Sequence, residues 1–450
     1  MLTRRNFTLG SAAFAGLAIA CTPALRSPGR AGLGYGPLLP DPAGLLDLPA
    51  GFSYRIVSRF GDVMDDGYRV PDAADGMGAF RLDGRRVALV RNHELRPSHS
   101  ERGPFAGRAA AVRGFDSSGG ETLPGGTTTI IYDYRAGRVE AQYLSLAGTI
   151  RNCAGGPTPW GSWLTCEEDV SRAGNGLGRD HGWVFEVDSR ATAPVEPVPL
   201  TAMGRFNHEA AIVDPRTGIA YLTEDRQDGL FYRFLPERRG ELRHGGRLQA
   251  LAFTDRDRPA DSRNRGEAIL PLHAWQPVRW IDLEEAESPS DDLRRRGHAA
   301  GAVLFARGEG IHGGGHDLYF CCTSGGAAGF GQVMRYRPSR FEGRPEEGGE
   351  PGQIQVFVES SDPSTLNYAD NLIVAPTGHL ILCEDQGTAP QRNHLRGVTP
   401  EGTVYAFAFL HEQTELAGAC FAPDGATMFV NLYHPARTLA IRGPWASVAG

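Results

Sequence analysis

The 450-residue sequence predicts an all-β fold, a six-bladed β-propeller with loop insertions. Three observations carry that expectation. One pattern recurs six times along the chain, which is the signature of a repeat architecture. Its segments are short β-branched and aromatic runs bounded by turn residues. Each copy also places polar residues at the same two points, which six unrelated hairpins of a β-sandwich would not do.

In order, the copies read DGMGAFRLDGRRVALVRNHE from Asp75, NCAGGPTPWGSWLTCEED from Asn152 and NHEAAIVDPRTGIAYLTEDR from Asn207. They continue as EGIHGGGHDLYFCCTSGG from Glu309, ADNLIVAPTGHLILCEDQG from Ala369 and LAGACFAPDGATMFVNLYH from Leu416. Each has a polar or small opening, a short strand, a Pro/Asp/Gly turn, a second apolar strand and a polar close. Openings include Asp75, Cys153, Glu209, Glu309 and Asp370. Closes include Glu94, Glu167, Glu168, Glu224, Asp225, Glu384 and Asp385. Successive openings lie 78, 56, 100, 61 and, measured to Ala419, 49 residues apart. The shortest match the ~40–50-residue unit of a propeller blade, and the longer ones carry insertions. Thr217-Gly218, Thr377-Gly378, Asp83-Gly84 and Asp424-Gly425 are hairpin turns expected to supply positive φ. The charged stretch 282–296 contains Pro289 and reads as an inserted loop or short helix.

Composition agrees with one such unit over residues 31–450. Gly 59 and Pro 31 supply many turns, while 41% hydrophobic residues are enough for a core. The net charge is −7, without a Lys/Arg cluster suited to phosphate backbones, so nucleic acid is not expected as a partner. The acids concentrate at strand ends, which favours cations bound inside.

Residues 1–30 read as a targeting segment. Thr3-Arg4-Arg5-Asn6-Phe7-Thr8 is a twin-arginine (Tat) pattern followed by an apolar stretch, Leu9 to Ala20. The Tat machinery is thus an expected partner, and the location is periplasmic or extracellular. Cys21 after LAIA is a weak lipobox that leaves a lipid anchor open. No other stretch is long and apolar enough to span a bilayer, and a monomer is expected.

Carboxylates repeated at equivalent points of a cyclic repeat converge on one place, which suggests a polynuclear metal centre. Carboxylate oxygens suit hard cations such as Ca²⁺, and a thiolate shifts a site toward iron or zinc. Cys153 occupies an opening that other copies fill with Glu, so it reads as a thiolate ligand. Cys166, Cys322 and Cys383 lie inside apolar second strands and read as small buried residues. Arg307 lies two residues before Glu309 and would share its face if RGEG is a strand; it would grip phosphate oxygens or pair with Glu309. His93 and His208 read as packed residues or as donors to ligand carboxylates. Asn92, Asn207 and Asn371 would bind Ca²⁺ or cap turns. HGGGH at 312–316 reads as a tight backbone approach, and Trp160 and Trp163 as blade packing. No GxSxG elbow, phosphate loop, HExxH, CxxCH or dinucleotide fingerprint is present.

These residues carry a resemblance. RNHE (91–94), GTIRNCAGGPTPWGSWLTCEE (148–168), HGWVFEVD (181–188), the run 204–236, RGEG (307–310), NYADNLIVAPTGHLILCEDQG (367–387) and the C-terminal APDGATMFVNLYHP resemble the PhoX-type alkaline phosphatases. That exported, Tat-dependent bacterial family is similar in architecture, a six-bladed propeller with metals at its centre. The resemblance implies ferric iron, calcium and a bridging oxo group held by one Cys and several carboxylates. It also implies hydrolysis of small-molecule phosphate esters. Cys153 falls at the iron-ligating cysteine, and Glu167, Glu168, Glu209, Glu309 and Glu384 at the motif carboxylates. Arg307 falls at the arginine that contacts phosphate.

The expected function is metal-dependent hydrolysis of phosphate monoesters outside the cytoplasm. A calcium-dependent propeller lactonase or phosphotriesterase is the rival enzyme; it needs carboxylates and Asn but no thiolate. A non-catalytic propeller stiffened by Ca²⁺ is the third reading.

Overall fold

A computed structural model of the chain describes residues 32–106, 110–266 and 270–448. The export pattern at Arg4 and Arg5, the stretch Leu9 to Ala20 and Cys21 lie outside the described residues.

The alternating apolar runs form antiparallel sheets, each with its first strand innermost. The six inner strands are Ala74–Arg81, Asn152–Pro157, His208–Val213, Gly308–Gly314, Ala369–Val374 and Leu416–Phe421. Each packs against the inner strands before and after it, and the sixth returns to the first, so they close a ring. We number the sheets as blades in this order. The expected propeller is thus what the chain forms. Second strands of the blades are Arg86–His93, Ser162–Glu167, Ala220–Glu224, Asp317–Cys322, Leu380–Glu384 and Thr427–Leu432.

Every inner hairpin has the same register. Ala74 pairs His93, Asn152 pairs Glu167, His208 pairs Glu224, Gly308 pairs Cys322, Ala369 pairs Glu384 and Leu416 pairs Leu432. A β-bulge follows near the same point in all six. A bulge bends a strand and re-aims its side chains. Here it turns the residue after each opening pair inward: Asp75, Cys153, Glu209, Glu309, Asp370 and Ala417. The sixth inward position is therefore Ala417, two residues before the Ala419 used for sequence spacing.

Crowding at the axis explains the small residues there. A Cβ on Gly156 would sit 1.6 Å from Ala211 O, and one on Gly310 would sit 2.8 Å from Asn371 Cα. Of the predicted turn glycines, Gly218, Gly378 and Gly425 adopt positive φ and Gly84 does not. Between blades the faces bury apolar side chains. Tyr132 of the first blade meets Phe429 of the sixth edge-on at 5.2 Å. Burial of each such side chain contributes about 1.5–3 kcal/mol.

The sequence repeats did not reveal the closure. The fourth strand of the sixth blade is Ser53–Arg59, from the N-terminal end, paired with Arg437–Arg442. Leu46–Pro49 likewise extends the fifth blade by pairing with Val404–Leu410. The third and fourth blades join at their outer edges, where Gln276 pairs Ile354. The inserted stretch 282–296 contributes the helix Leu293–Ala299. Among the described residues no helix is long and apolar enough to cross a membrane.

Candidate metal centre

The inward acids and Cys153 meet the acids that follow second strands, Glu94, Glu168 and Asp385, at one end of the ring. Four overlapping groups each have ligand atoms within 4.8 Å of one another: Asp75–Glu94–Cys153, Cys153–Glu168–Glu209, Glu209–Glu309–Asp370 and Asp370–Asp385–Glu415. Cys153 sits between two carboxylates, with Sγ 3.3 Å from Asp75 Oδ2 and 3.2 Å from Glu209 Oε1. Asp225 joins the cluster through Arg307.

Ring equivalence governs which side chain faces the centre. Successive residues of a strand point to opposite sides. In the CEED, TEDR and CEDQ closes, the first acid therefore turns away from the axis and the second turns toward it. Glu168, Asp225 and Asp385 face the cluster. Glu167 instead accepts hydrogen bonds from Ile150 N (2.9 Å), Gly182 N (3.0 Å) and Trp183 N (3.3 Å) and contacts His181 Nδ1 at 2.7 Å. Glu384 accepts from Asn367 N, His394 N and Arg396 Nε at 3.0, 3.0 and 2.8 Å. Glu224 accepts from Tyr232 Oη at 2.6 Å. Of the openings and closes singled out from sequence, the structure gathers Asp75, Glu94, Cys153, Glu168, Glu209, Glu309, Asp370 and Asp385, with Arg307 beside them. It does not bring Glu167 or Glu384 to them, because their neighbours at 168 and 385 take the inward direction.

Arg307 reaches Glu309, but not by strand alternation. It precedes the strand in the left-handed region, at φ 56°. From there Nε and Nη2 grip Asp225 at 2.7 and 2.9 Å, and Nη2 also donates to Glu309 Oε1 at 2.7 Å. Arg151 occupies the same place in the second blade, at φ 47°. Its Nε donates to Glu94 Oε1 at 2.7 Å, and Nη2 pairs with Glu168 Oε2. Asn207, at that place in the third blade, donates to Glu168 Oε1 at 2.8 Å. Glu415, at that place in the sixth, is a further, half-buried acid. Sequence reasoning missed Arg151 and Glu415 because they precede the strand pattern.

The electrostatics are those of acids crowded together in a buried site. Burial first, then neighbouring carboxylates, pushes Asp75, Glu209, Glu309 and Glu415 well above the usual carboxylate range. Glu168 is raised well by burial and Glu94. Asp370 is pushed up to about 6 by burial and Asp385. Burial, then Asp75 and Glu209, raises the Cys153 thiol. Asp75 Oδ1 and Glu209 Oε2 are buried without a hydrogen-bond partner among the described residues. Buried orphan oxygens are rare in native proteins, and a cation supplies what they lack. The donor set therefore fits metal ions.

His93 contacts Asp72 O and Thr128 Oγ1, and His208 contacts Gly204 O, so neither bonds a cluster carboxylate. The six described cysteines are buried and free of disulfides. Trp163 is buried and donates to Asn92. Trp160, expected in blade packing, is instead exposed and donates to Glu186.

A family model described as alkaline phosphatase PhoX matches residues 33–436. Pseudomonas fluorescens PhoX, solved in complex with vanadate, a transition state analogue, superposes at a TM-score of 0.66 with 19% identity over 92% of this chain and 98% of that one. That likeness shows the fold. A gluconolactonase from Xanthomonas campestris aligns over 91% of this chain and 98% of its own at a TM-score of 0.41 and 12% identity. No curated protein matches the chain by sequence. With the family model spanning nearly the whole chain, this protein belongs to the PhoX alkaline phosphatase family.

Proposed function

We propose that the chain hydrolyses small-molecule phosphate monoesters at a metal centre held in this cluster. The observation that carries the reading is the convergence of one thiol and a ring of buried and half-buried carboxyls, two of whose oxygens lack a partner among the described residues. The groups containing Cys153, with Asp75, Glu94, Glu168 and Glu209, have the mixed donors that suit iron. The all-oxygen groups, Glu209–Glu309–Asp370 and Asp370–Asp385–Glu415, suit calcium. Bound there, such ions supply Lewis-acid stabilisation of phosphoryl oxygens.

The chain's own residues do the rest. Arg307 binds and orients the phosphate group: its side chain is 30% exposed at the mouth, and its Nη1 has no acceptor among the described residues. Asp225 and Glu309 hold that guanidinium in place. Asn207 fixes one oxygen of Glu168. Glu167 and Glu384 brace the loops behind the site and are not in the proposed ligand set. The vanadate bound by the Pseudomonas fluorescens protein is consistent with an oxyanion seat of this kind.

Elemental analysis of the exported protein, with p-nitrophenyl phosphate as substrate, tests the reading. Iron and calcium together, and activity abolished by chelation, are expected. Chelation should also lower the Tm by several degrees, because bound cations favour the folded state and neutralise the crowded acids. Calcium without iron would turn the reading toward the lactonase class, and activity surviving metal removal would end it.

We also propose that residues 1–30 are a Tat leader, that residues 31–450 form one unit, and that the protein works outside the cytoplasm. Replacing Arg4 and Arg5 by Lys should leave precursor in the cytoplasm; export unchanged in cell fractionation would refute the leader.

A further inference from the structure

The place just before each inner strand is occupied in turn by Ala73, Arg151, Asn207, Arg307, Tyr368 and Glu415. Side-chain N–H donors therefore fill three consecutive blades, and Glu415 lies on the other half of the ring with Asp370 and Asp385. The mouth has a donor side and an acidic side.

Arg151 and Arg307 are more than chemically alike. Both are held in the left-handed region, at φ 47° and 56°. Each guanidinium reaches back to the closing carboxylate of the preceding blade, Glu94 for Arg151 and Asp225 for Arg307. Each also holds a cluster carboxylate of its own blade, Glu168 and Glu309. Both side chains reach the surface, at 21% and 30% exposure, while the carboxyls they hold are more buried. A guanidinium has five N–H donors. Arg151 uses three, on Glu94 Oε1, Glu168 O and Glu168 Oε2, which leaves one hydrogen on Nη1 and one on Nη2. Charge-assisted N–H donors of this kind suit an oxyanion.

Resting on the phosphatase reading, we propose that Arg151 is a second oxyanion-binding arginine, so that the phosphate group of the substrate is held in an arc running from Arg151 past Asn207 to Arg307. The two guanidiniums stand two blades apart and approach one phosphate from different sides. Specificity for a terminal phosphate dianion follows, since a diester presents one fewer charged oxygen to the pair.

The test is Arg151→Gln in the full-length, metal-loaded protein, with Arg151→Lys beside it. Three quantities are read: metal content, KM for p-nitrophenyl phosphate, and the inhibition constant of orthophosphate. The expected result is metal content close to wild type, with KM and the inhibition constant both raised about tenfold. Arg151→Lys keeps the charge but not the planar fork, and should recover only part of that loss. Metal lost while KM and phosphate inhibition of the remaining active fraction stay unchanged would show that Arg151 only steadies Glu94 and Glu168, and would overturn the proposal. So would no change in any quantity. If Arg151→Gln does not fold, the Lys variant decides, with unaltered phosphate inhibition counting against. Calorimetric titration of orthophosphate separates this inference from the reading beneath it. A wild-type protein that binds phosphate without hydrolysing the ester, and loses about tenfold of that binding on Arg151→Gln, would sink the phosphatase reaction and keep Arg151.

Discussion

Cys153→Ser should cut turnover at least about 100-fold and remove most bound iron while the fold survives. Changing a residue that merely supports a ligand costs 10–100-fold, so removing the single thiolate donor should cost no less. The fold should persist because serine is smaller and the second blade keeps its ladder around position 153, from Asn152↔Glu167 to Pro157↔Trp163. Burial and the flanking Asp75 and Glu209 raise the Cys153 thiol, so without a cation the sulfur stays protonated. A bound metal reverses that, since a coordinating thiol is deprotonated outright. Elemental analysis and the circular dichroism spectrum check the two halves separately. Cys166→Ser is the control: that thiol points into the apolar side of the same blade and should leave metal content unchanged. Full iron content in the Cys153 variant would remove the residue from the centre.

Glu167→Ala should act in the opposite way, lowering unfolding free energy by about 3–5 kcal/mol while metal per folded chain stays close to wild type. Glu167 and His181 are both completely buried, and His181 lies between Glu167 and Asp116, with contacts of 2.7 and 3.2 Å. Breaking a buried pair from one side costs about 3–5 kcal/mol because the other partner is left uncompensated. Burial opposes the imidazolium, but Glu167 and Asp116 outweigh it and raise His181 above its ordinary value. The sign follows from linkage. The pair's contribution is complete below about pH 6.5, the unfolded value, and is lost as pH rises through the raised folded value. Urea unfolding across that window should show the slope in wild type and a weaker one in the variant. Loss of metal without loss of stability would return Glu167 to the ligand set.

That contrast marks what the sequence could carry. Repeats with matched polar ends are enough to read a propeller and a central site, because a cyclic architecture sends equivalent residues to one axis. They do not say which of two adjacent acids faces it. Glu167 and Glu168 are indistinguishable in CEED, and the choice depends on register and on the bulge beside each opening. Strand alternation, applied to the pair, would have excluded one of them. Arg151, Glu415 and Asn207 belong to a further position, just ahead of each strand, where residue type varies from blade to blade and no hydrophobic period marks it. Arg307 stood out there only because its motif is distinctive. The closing strand Ser53–Arg59 was invisible for a different reason: its partner lies almost four hundred residues away, beyond any local signal.

That closing strand has a consequence for the order of events in the cell. Ser53–Arg59 leaves the ribosome long before Arg437–Arg442, the strand against which it finds its place. Until then the sixth blade lacks its outer strand, and the interface that joins it to the first stays unfinished. Asp75 and Glu94 come from the first blade, Asp385 from the fifth and Glu415 from the start of the sixth, so a nascent chain holds only an arc of the ligand ring. Closing a loop this long is slow but costs little more free energy than closing a shorter one. The acidic cluster is therefore completed only once the sixth blade is made, and a chain terminated before it should bind metal ions poorly.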